Sequence, residues 1–221
     1  MGRISTSETA VKRIIEAYDS RLVRLYCRIR FHILRQRFLE EIGQYLPRSG
    51  AALDIGCGFG LFSLYFATMF PGIKVYGIDL NTRRIEIAVS AAKRLGTSNV
   101  EFSVGNAVDF VCSHAIEAAY MLDLVHHIPK NAVMPLVREL VANLVPNARL
   151  IIKDVDSRPF HKMVFTWLLD KAMDCRAQVH YWPAADLQEL LVATGLQVHR
   201  HAMVDYLPYP HMIYIATKQR I

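Results

Sequence analysis

The sequence predicts a doubly wound α/β fold: a mostly parallel, seven-stranded sheet with an antiparallel C-terminal hairpin, preceded by an N-terminal helical extension. Three observations carry that prediction. A short apolar run, Ala51 to Ile55, feeds directly into glycines at alternating positions, Gly56, Gly58 and Gly60, and an apolar stretch of helical length follows. Strand-like and helix-like segments then alternate as far as Asp154, which implies parallel strands joined by right-handed crossovers. Finally, two strand-like runs, Leu196 to Val204 and His211 to Thr217, are joined by the turn-rich DYLPYPH, a connection too short for a parallel crossover.

Each element has a local signal. Phe59 to Phe70 is apolar at helical spacing and stops before Pro71-Gly72, after which Lys74 to Ile78 reads as a strand. Asn81-Thr82 caps a helix running to Leu95, where Gly96 ends it, and Val100 to Val104 is the next strand. Ala118 to Leu122 follows, then a helix from about Asn131 to Leu144, a strand from Ala148 to Asp154 and a helix from Ala185 to Thr194. Residues 1–48 read as the helical extension and residues 49–221 as one globular unit. The 52% apolar content suits parallel strands buried on both faces. The longest apolar run, Ala52 to Phe70, has the length of a membrane span but contains Asp54 and the glycine turn, so a strand-loop-helix is expected instead. The opening MGRISTSETA is polar and the four cysteines show no C-x-x-C or zinc spacing, so a cytoplasmic protein without a secretory leader is expected.

The glycine turn points to a nucleoside ligand. Glycines let the chain turn sharply after the strand and let a ligand lie against bare peptide groups. Asp79, at the end of the following strand, stands where two ribose hydroxyls can donate to its carboxylate. A dinucleotide fingerprint would carry a third glycine where Leu61 stands, and no G-x-x-x-x-G-K-[ST] phosphate loop occurs anywhere in the chain. With D-x-G-C-G-x-G from Asp54 to Gly60, the segment resembles motif I of the class I S-adenosylmethionine-dependent methyltransferases.

That resemblance implies S-adenosylmethionine as cofactor and S-adenosylhomocysteine as product. It places Asp54, Gly56, Cys57, Gly58 and Gly60 around the cofactor, Asp79 on the ribose and Leu80 beside the adenine. Gly105-Asn106-Ala107 looks like the family's G-D-A; Asn106 departs from the acid, but its amide oxygen can accept the same adenine hydrogen bond. The run YMLDLVHHIP is similar to the family's segment at the mouth of the active site, which adds Asp123 to the cofactor contacts and brings His126 and His127 into play. Aromatic faces at Tyr18, Phe59 or Tyr120 are candidates to stabilise the sulfonium. The match is close over residues 50–160 and topological beyond them.

Methyl transfer requires alignment above all, and oxygen or nitrogen acceptors also require removal of a proton. His126, His127 and Asp123 are the candidates for that role; the competing reading is that the two histidines cap a helix or bond to backbone. Asp154 and Asp156, in KDVD, would join Asp123 as magnesium ligands in a catechol-type enzyme, but the matching Asp-Asn pair is missing and capping is expected, with no metal. Cys57 is expected to be a buried small residue rather than a nucleophile.

The acceptor is approached partly through absences. There is no [DN]-P-P-[YF] run, no Pro-Cys nucleophile and no appended recognition domain, which favours a hydrophobic or aromatic small molecule or lipid-like acceptor, methylated at oxygen or carbon, over nucleic acid. Residues 1–50 carry ten Lys and Arg against five acids, so nearly all of the formal +6 charge sits there. Leu22, Leu25, Tyr26, Ile29 and Ile33 form an apolar stripe on a helix, with Arg21, Arg24, Arg28 and Arg35 roughly opposite. Either the stripe packs on the domain and the arginines stand in water, or the helix meets anionic lipid or an acidic substrate at a membrane surface. The resemblance implies that an insertion such as the segment holding Phe160, Met163, Phe165, Trp167, Leu168, Leu169 and Met173 forms, with the N-terminal helices, a lid over the acceptor; its Met and aromatic content suits an apolar pocket and equally suits ordinary core packing. An RNA methyltransferase using the basic helix and a non-catalytic cofactor-binding module remain as alternatives, and the oligomeric state is open.

Overall fold

The structure, a computed structural model, describes residues 6–106, 115–158, 167, 179–203 and 210–219. Seven strands form one mixed sheet in the order β3-β2-β1-β4-β5-β7-β6, the mostly parallel sheet with an antiparallel C-terminal hairpin that the sequence predicts. The chain divides into two compact units, residues 1–110 and 111–221. The three N-terminal helices fall inside the first.

The first unit contains α1 (Thr6–Ala17), α2 (Arg21–Ile33), α3 (Gln36–Gly43), β1 (Gly50–Ile55), α4 (Leu61–Met69), β2 (Ile73–Asp79), α5 (Thr82–Leu95) and β3 (Val100–Val104). Its strands are parallel, and the register pairs Ile55 of β1 with Ile78 of β2 and Asp79 with Val104 of β3. That register brings the turn after β1 and the acid ending β2 to the same end of the sheet. Helix α4 is buried over its first seven residues, Leu61 to Ala67, so it shows almost no amphipathic pattern. The Asn81 side chain accepts the Arg84 N–H at 3.1 Å to start α5, and Gly96 ends it in the left-handed region at φ 72°, as the sequence leads one to expect.

Helix α2 packs through a line of residues that the sequence did not single out. Ser20 caps it by accepting the Val23 N–H, and the helix packs inward through Val23 and Cys27, with the fully buried Leu34 just beyond its end. Phe31 meets Phe62 and Tyr65, and Arg30 lies over the Phe62 ring. The anticipated stripe is divided: Leu22, Leu25 and Ile29 are 79%, 51% and 44% exposed, while Tyr26 and Ile33 are half-buried. A second apolar line at the same helical spacing, one residue further along, wins the contact with the core.

The second unit contains β4 (Ile116–Leu122), a single 3-10 turn (Val125–His127), α6 (Lys130–Asn143), β5 (Leu144–Val155), α7 (Ala184–Val192), β6 (Leu196–Ala202) and β7 (His211–Lys218). Strands β4 and β5 are parallel, with Leu122 beside Lys153, while β7 runs antiparallel to both β5 and β6. Strand β5 starts four residues earlier than the sequence suggests. The left-handed Asn147 at φ 64° lies in its first stretch, where the β4 register shifts, so Pro146-Asn147 is accommodated within the strand instead of in a loop. Leu150, Ile151 and Ile152 are fully buried at its centre. Of the apolar residues named for the lid, only Trp167 lies within the described residues, and it is 41% exposed; Phe160, Met163, Phe165, Leu168, Leu169 and Met173 lie outside them.

Candidate functional site

In the first unit the turn after β1 is built by backbone bonds. The N–H groups of Gly56 and Cys57 both donate to the Ile78 carbonyl, at 2.8 and 2.9 Å, and Gly60 N–H closes the turn onto the Cys57 carbonyl at 2.8 Å. Two of the glycines serve different ends. Gly60 caps α4 at φ 74°, and a Cβ there would stand 2.4 Å from the Phe102 ring and 2.9 Å from Ala88 Cβ, so this residue permits close packing. Gly58 has φ 56° but a Cβ would meet nothing within 4 Å, so its peptide faces open space, the surface a ligand would approach.

Side chains fix this turn from three directions. The buried Asp54 accepts Ser63 Oγ–H at 2.5 Å, tying the end of β1 to the first turn of α4. Asp79 Oδ2 accepts the Gly58 N–H and Oδ1 the Asn81 N–H, each at 2.9 Å. The hydroxyl of the buried Tyr18, just beyond α1, donates to the Phe59 carbonyl at 2.9 Å. Burial, with Cys27, Tyr26 and Cys57 adding to it, keeps that phenol protonated well above its usual range. Tyr18 thus supports the turn through its hydroxyl. Cys57 is buried, and its thiol is pushed far up by burial and by the carboxylates of Asp54 and Asp79, which makes it a poor nucleophile.

Of the cofactor residues named from the sequence, Gly56, Cys57, Gly58 and Gly60 form this turn, Tyr18 and Asp79 hydrogen-bond to it, and Asp54 ends the strand before it and is tied to α4 through Ser63. Leu80 is 72% exposed beside Asp79. Gly105 donates its N–H to the Asp79 carbonyl at 3.1 Å, which brings the exposed Asn106 next to the end of β2; Ala107 lies outside the described residues. An open peptide at Gly58, a carboxylate held by two backbone donors with lone pairs to spare, and an exposed apolar Leu80 fit the ribose and adenine of S-adenosylmethionine.

The second unit holds Asp123, His126 and His127. Asp123 directly follows β4 in the left-handed region at φ 59°, a conformation that costs a non-glycine residue energy and concentrates at functional sites. Its N–H donates to the Lys153 carbonyl at 2.8 Å, and its carboxylate pairs with the fully buried Lys153 ammonium. His126 and His127 part company: the first is 3% exposed and the second stands in solvent, their rings 4.1 Å apart. His126 Nδ1 lies 2.5 Å from Asp154 Oδ1, its backbone N–H donates to Asp154 Oδ2 at 3.1 Å, and Tyr181 stacks on its ring. A carboxylate so placed holds the imidazole in one orientation with the proton on Nδ1.

Asp154 and Lys153 were not among the candidates for proton chemistry, yet they are the partners that organise this cluster. Their signal in the sequence is the polar pair in LIIKDV, at the end of an otherwise apolar parallel strand. Asp156 accepts the Arg158 and Ala184 N–H groups at 3.0 and 3.2 Å and so satisfies a donor in the first turn of α7. Among the described residues no group of three or more His, Cys, Asp or Glu side chains is arranged to hold a metal ion.

Residues 52–147 match the family model described as a methyltransferase domain. The chain is 31% identical over 75 residues to pavine N-methyltransferase of Thalictrum flavum subsp. glaucum, covering 34% of this chain and 21% of that protein. It is 43% identical over 58 residues to ribosomal RNA small subunit methyltransferase G of Streptococcus pyogenes, covering 26% of this chain and 24% of the relative. The chain thus spans about a quarter or less of the length of these curated relatives. The fold resembles magnesium protoporphyrin IX methyltransferase from Synechocystis PCC 6803, solved with bound S-adenosylhomocysteine, at a TM-score of 0.64 and 16% identity over 99% of this chain and 90% of that one.

Proposed function

We infer that this chain, which belongs to the class I S-adenosylmethionine-dependent methyltransferases, methylates a hydrophobic or aromatic small molecule, or a lipid-like one, at an oxygen or an acidic carbon. When bound, S-adenosylmethionine supplies a methyl already activated on a sulfonium sulfur and leaves as S-adenosylhomocysteine. What remains for the chain is to hold the reactants in line and to take a proton from the acceptor.

The observation that carries the acceptor reading is the bond between His126 Nδ1 and Asp154 Oδ1. With Nδ1 donating to the carboxylate, the basic lone pair lies on Nε2, and the imidazolium formed on proton uptake is stabilised by the neighbouring charge. A proton acceptor of that kind serves an O–H or an acidified C–H. Asp123 has its carboxylate engaged by Lys153, and taking up a proton would leave a buried ammonium without its counter-ion, so His126 is the better base. His127 stands exposed to solvent, where its ring is less firmly oriented than that of the buried His126, which makes it the weaker candidate of the pair.

Turnover on a panel of lipophilic phenols and activated carbon acids tests this reading. His126→Ala and Asp154→Asn should each lower kcat by about 10² to 10⁴-fold with cofactor affinity unchanged. Unaltered kcat in both variants would remove the dyad from the chemistry. Turnover on ribosomal RNA alone would favour the RNA reading, and binding of cofactor without turnover on any class would favour a non-catalytic module.

A further inference from the structure

Helix α2 presents three parallel lines of side chains, each one residue and hence roughly 100° apart around the helix. Val23 and Cys27 face the core. Arg21, Arg24 and Arg28 form a cationic line, with Arg21 and Arg28 exposed. Between the two runs the exposed line of Leu22, Leu25 and Ile29. Scattered exposed apolar side chains are ordinary, but three in one row on a single helix are not. No Asp or Glu occurs from Ser20 to Gln36, so nothing within the helix neutralises the arginines.

From this juxtaposition we propose that α2 is a docking surface for an anionic phospholipid bilayer, with Leu22, Leu25 and Ile29 entering the headgroup boundary and Arg21, Arg24 and Arg28 meeting lipid phosphate. A helix with one apolar line and an adjacent cationic line is the form that lies in the plane of a membrane interface. The two competing occupants fit less well. RNA phosphates would use the arginines but leave the apolar row in water. A second copy docking antiparallel through the same row would set the two arginine lines along one edge, like charge against like charge. The helix also borders the cofactor turn: Tyr26 sits edge-on to Phe59 with ring centres 5.2 Å apart. A bilayer seated on α2 would therefore lie beside the residue whose carbonyl Tyr18 holds.

The test is co-sedimentation of the full chain with vesicles of phosphatidylcholine alone and of phosphatidylcholine mixed with phosphatidylglycerol. Two triple variants accompany it, Leu22→Ser/Leu25→Ser/Ile29→Ser and Arg21→Gln/Arg24→Gln/Arg28→Gln, each checked for an unchanged melting temperature and S-adenosylhomocysteine affinity. The wild type should partition onto the phosphatidylglycerol vesicles and not onto phosphatidylcholine alone, and each variant should bind at least about tenfold more weakly. Failure of the wild type to bind phosphatidylglycerol vesicles would overturn the proposal. So would a serine variant that binds as well as wild type while an RNA mobility shift depends on the arginines. A wild-type dimer in sedimentation velocity that the serine variant abolishes would assign the face to a second copy instead.

Discussion

Lys153 and Asp123 are joined twice, once through the Asp123 N–H on the Lys153 carbonyl at 2.8 Å and once through a side-chain ion pair in the opposite direction. The ammonium is wholly buried. Desolvating it is costly, and the carboxylate held in reach by the left-handed backbone of Asp123 offsets that cost.

Removing one partner should therefore hurt more than removing both. Asp123→Asn is expected to destabilise the fold by about 3 to 5 kcal/mol in urea denaturation, because it strands a buried charge. The double variant Asp123→Asn/Lys153→Met should lose clearly less than the sum of the two single changes. Additive losses would show that the pair is not coupled.

The glycine turn makes a second, graded expectation. Gly60→Ala combines a left-handed φ with a Cβ 2.4 Å from Phe102 and should cost about 2 to 4 kcal/mol of stability. Gly58→Ala meets open space and carries only the backbone penalty, about 1 to 2 kcal/mol, while placing a methyl group where the cofactor would lie. Thermal denaturation paired with cofactor titration should thus show Gly60→Ala failing chiefly in stability and Gly58→Ala chiefly in binding.

Much of this was legible in the sequence because it is local. Asn81 and Gly96 bound α5 by their own side-chain and backbone chemistry, and the glycine spacing with Leu61 in the next position announces the turn and its register. Pairings across strands were not legible. Lys153 and Asp154 find Asp123 and His126 only because β4 and β5 align with Leu122 beside Lys153, and no local pattern encodes that alignment. Which line of α2 packs was not legible for a different reason. Leu22, Leu25 and Ile29 and the Val23-Cys27 line are both apolar at helical spacing, and tertiary contacts with α4 residues such as Phe62, not periodicity, choose between them.

Buried thiols give the fold a pH dependence. Burial raises Cys27 from 9.0 to about 12, so the folded state keeps its proton where the unfolded chain would lose it. The sign follows: this contribution is complete below pH about 9 and is lost as pH rises from there towards about 12. Stability measured between those limits should fall with pH, and Cys27→Ala should flatten the slope. Alkylation at pH 8 should label Cys27 and Cys57 only after denaturant is added.

The turn after β1, closed by Asp79 on Gly58, is expected to hold S-adenosylmethionine. Titration calorimetry of wild type and Asp79→Ala with S-adenosylmethionine and S-adenosylhomocysteine tests it most directly. Wild type should bind both, and Asp79→Ala should bind each about 10 to 150-fold more weakly, the worth of one charged hydrogen bond and the loss of a fixed turn. No binding by a folded wild type, or equal binding by the variant, would contradict it.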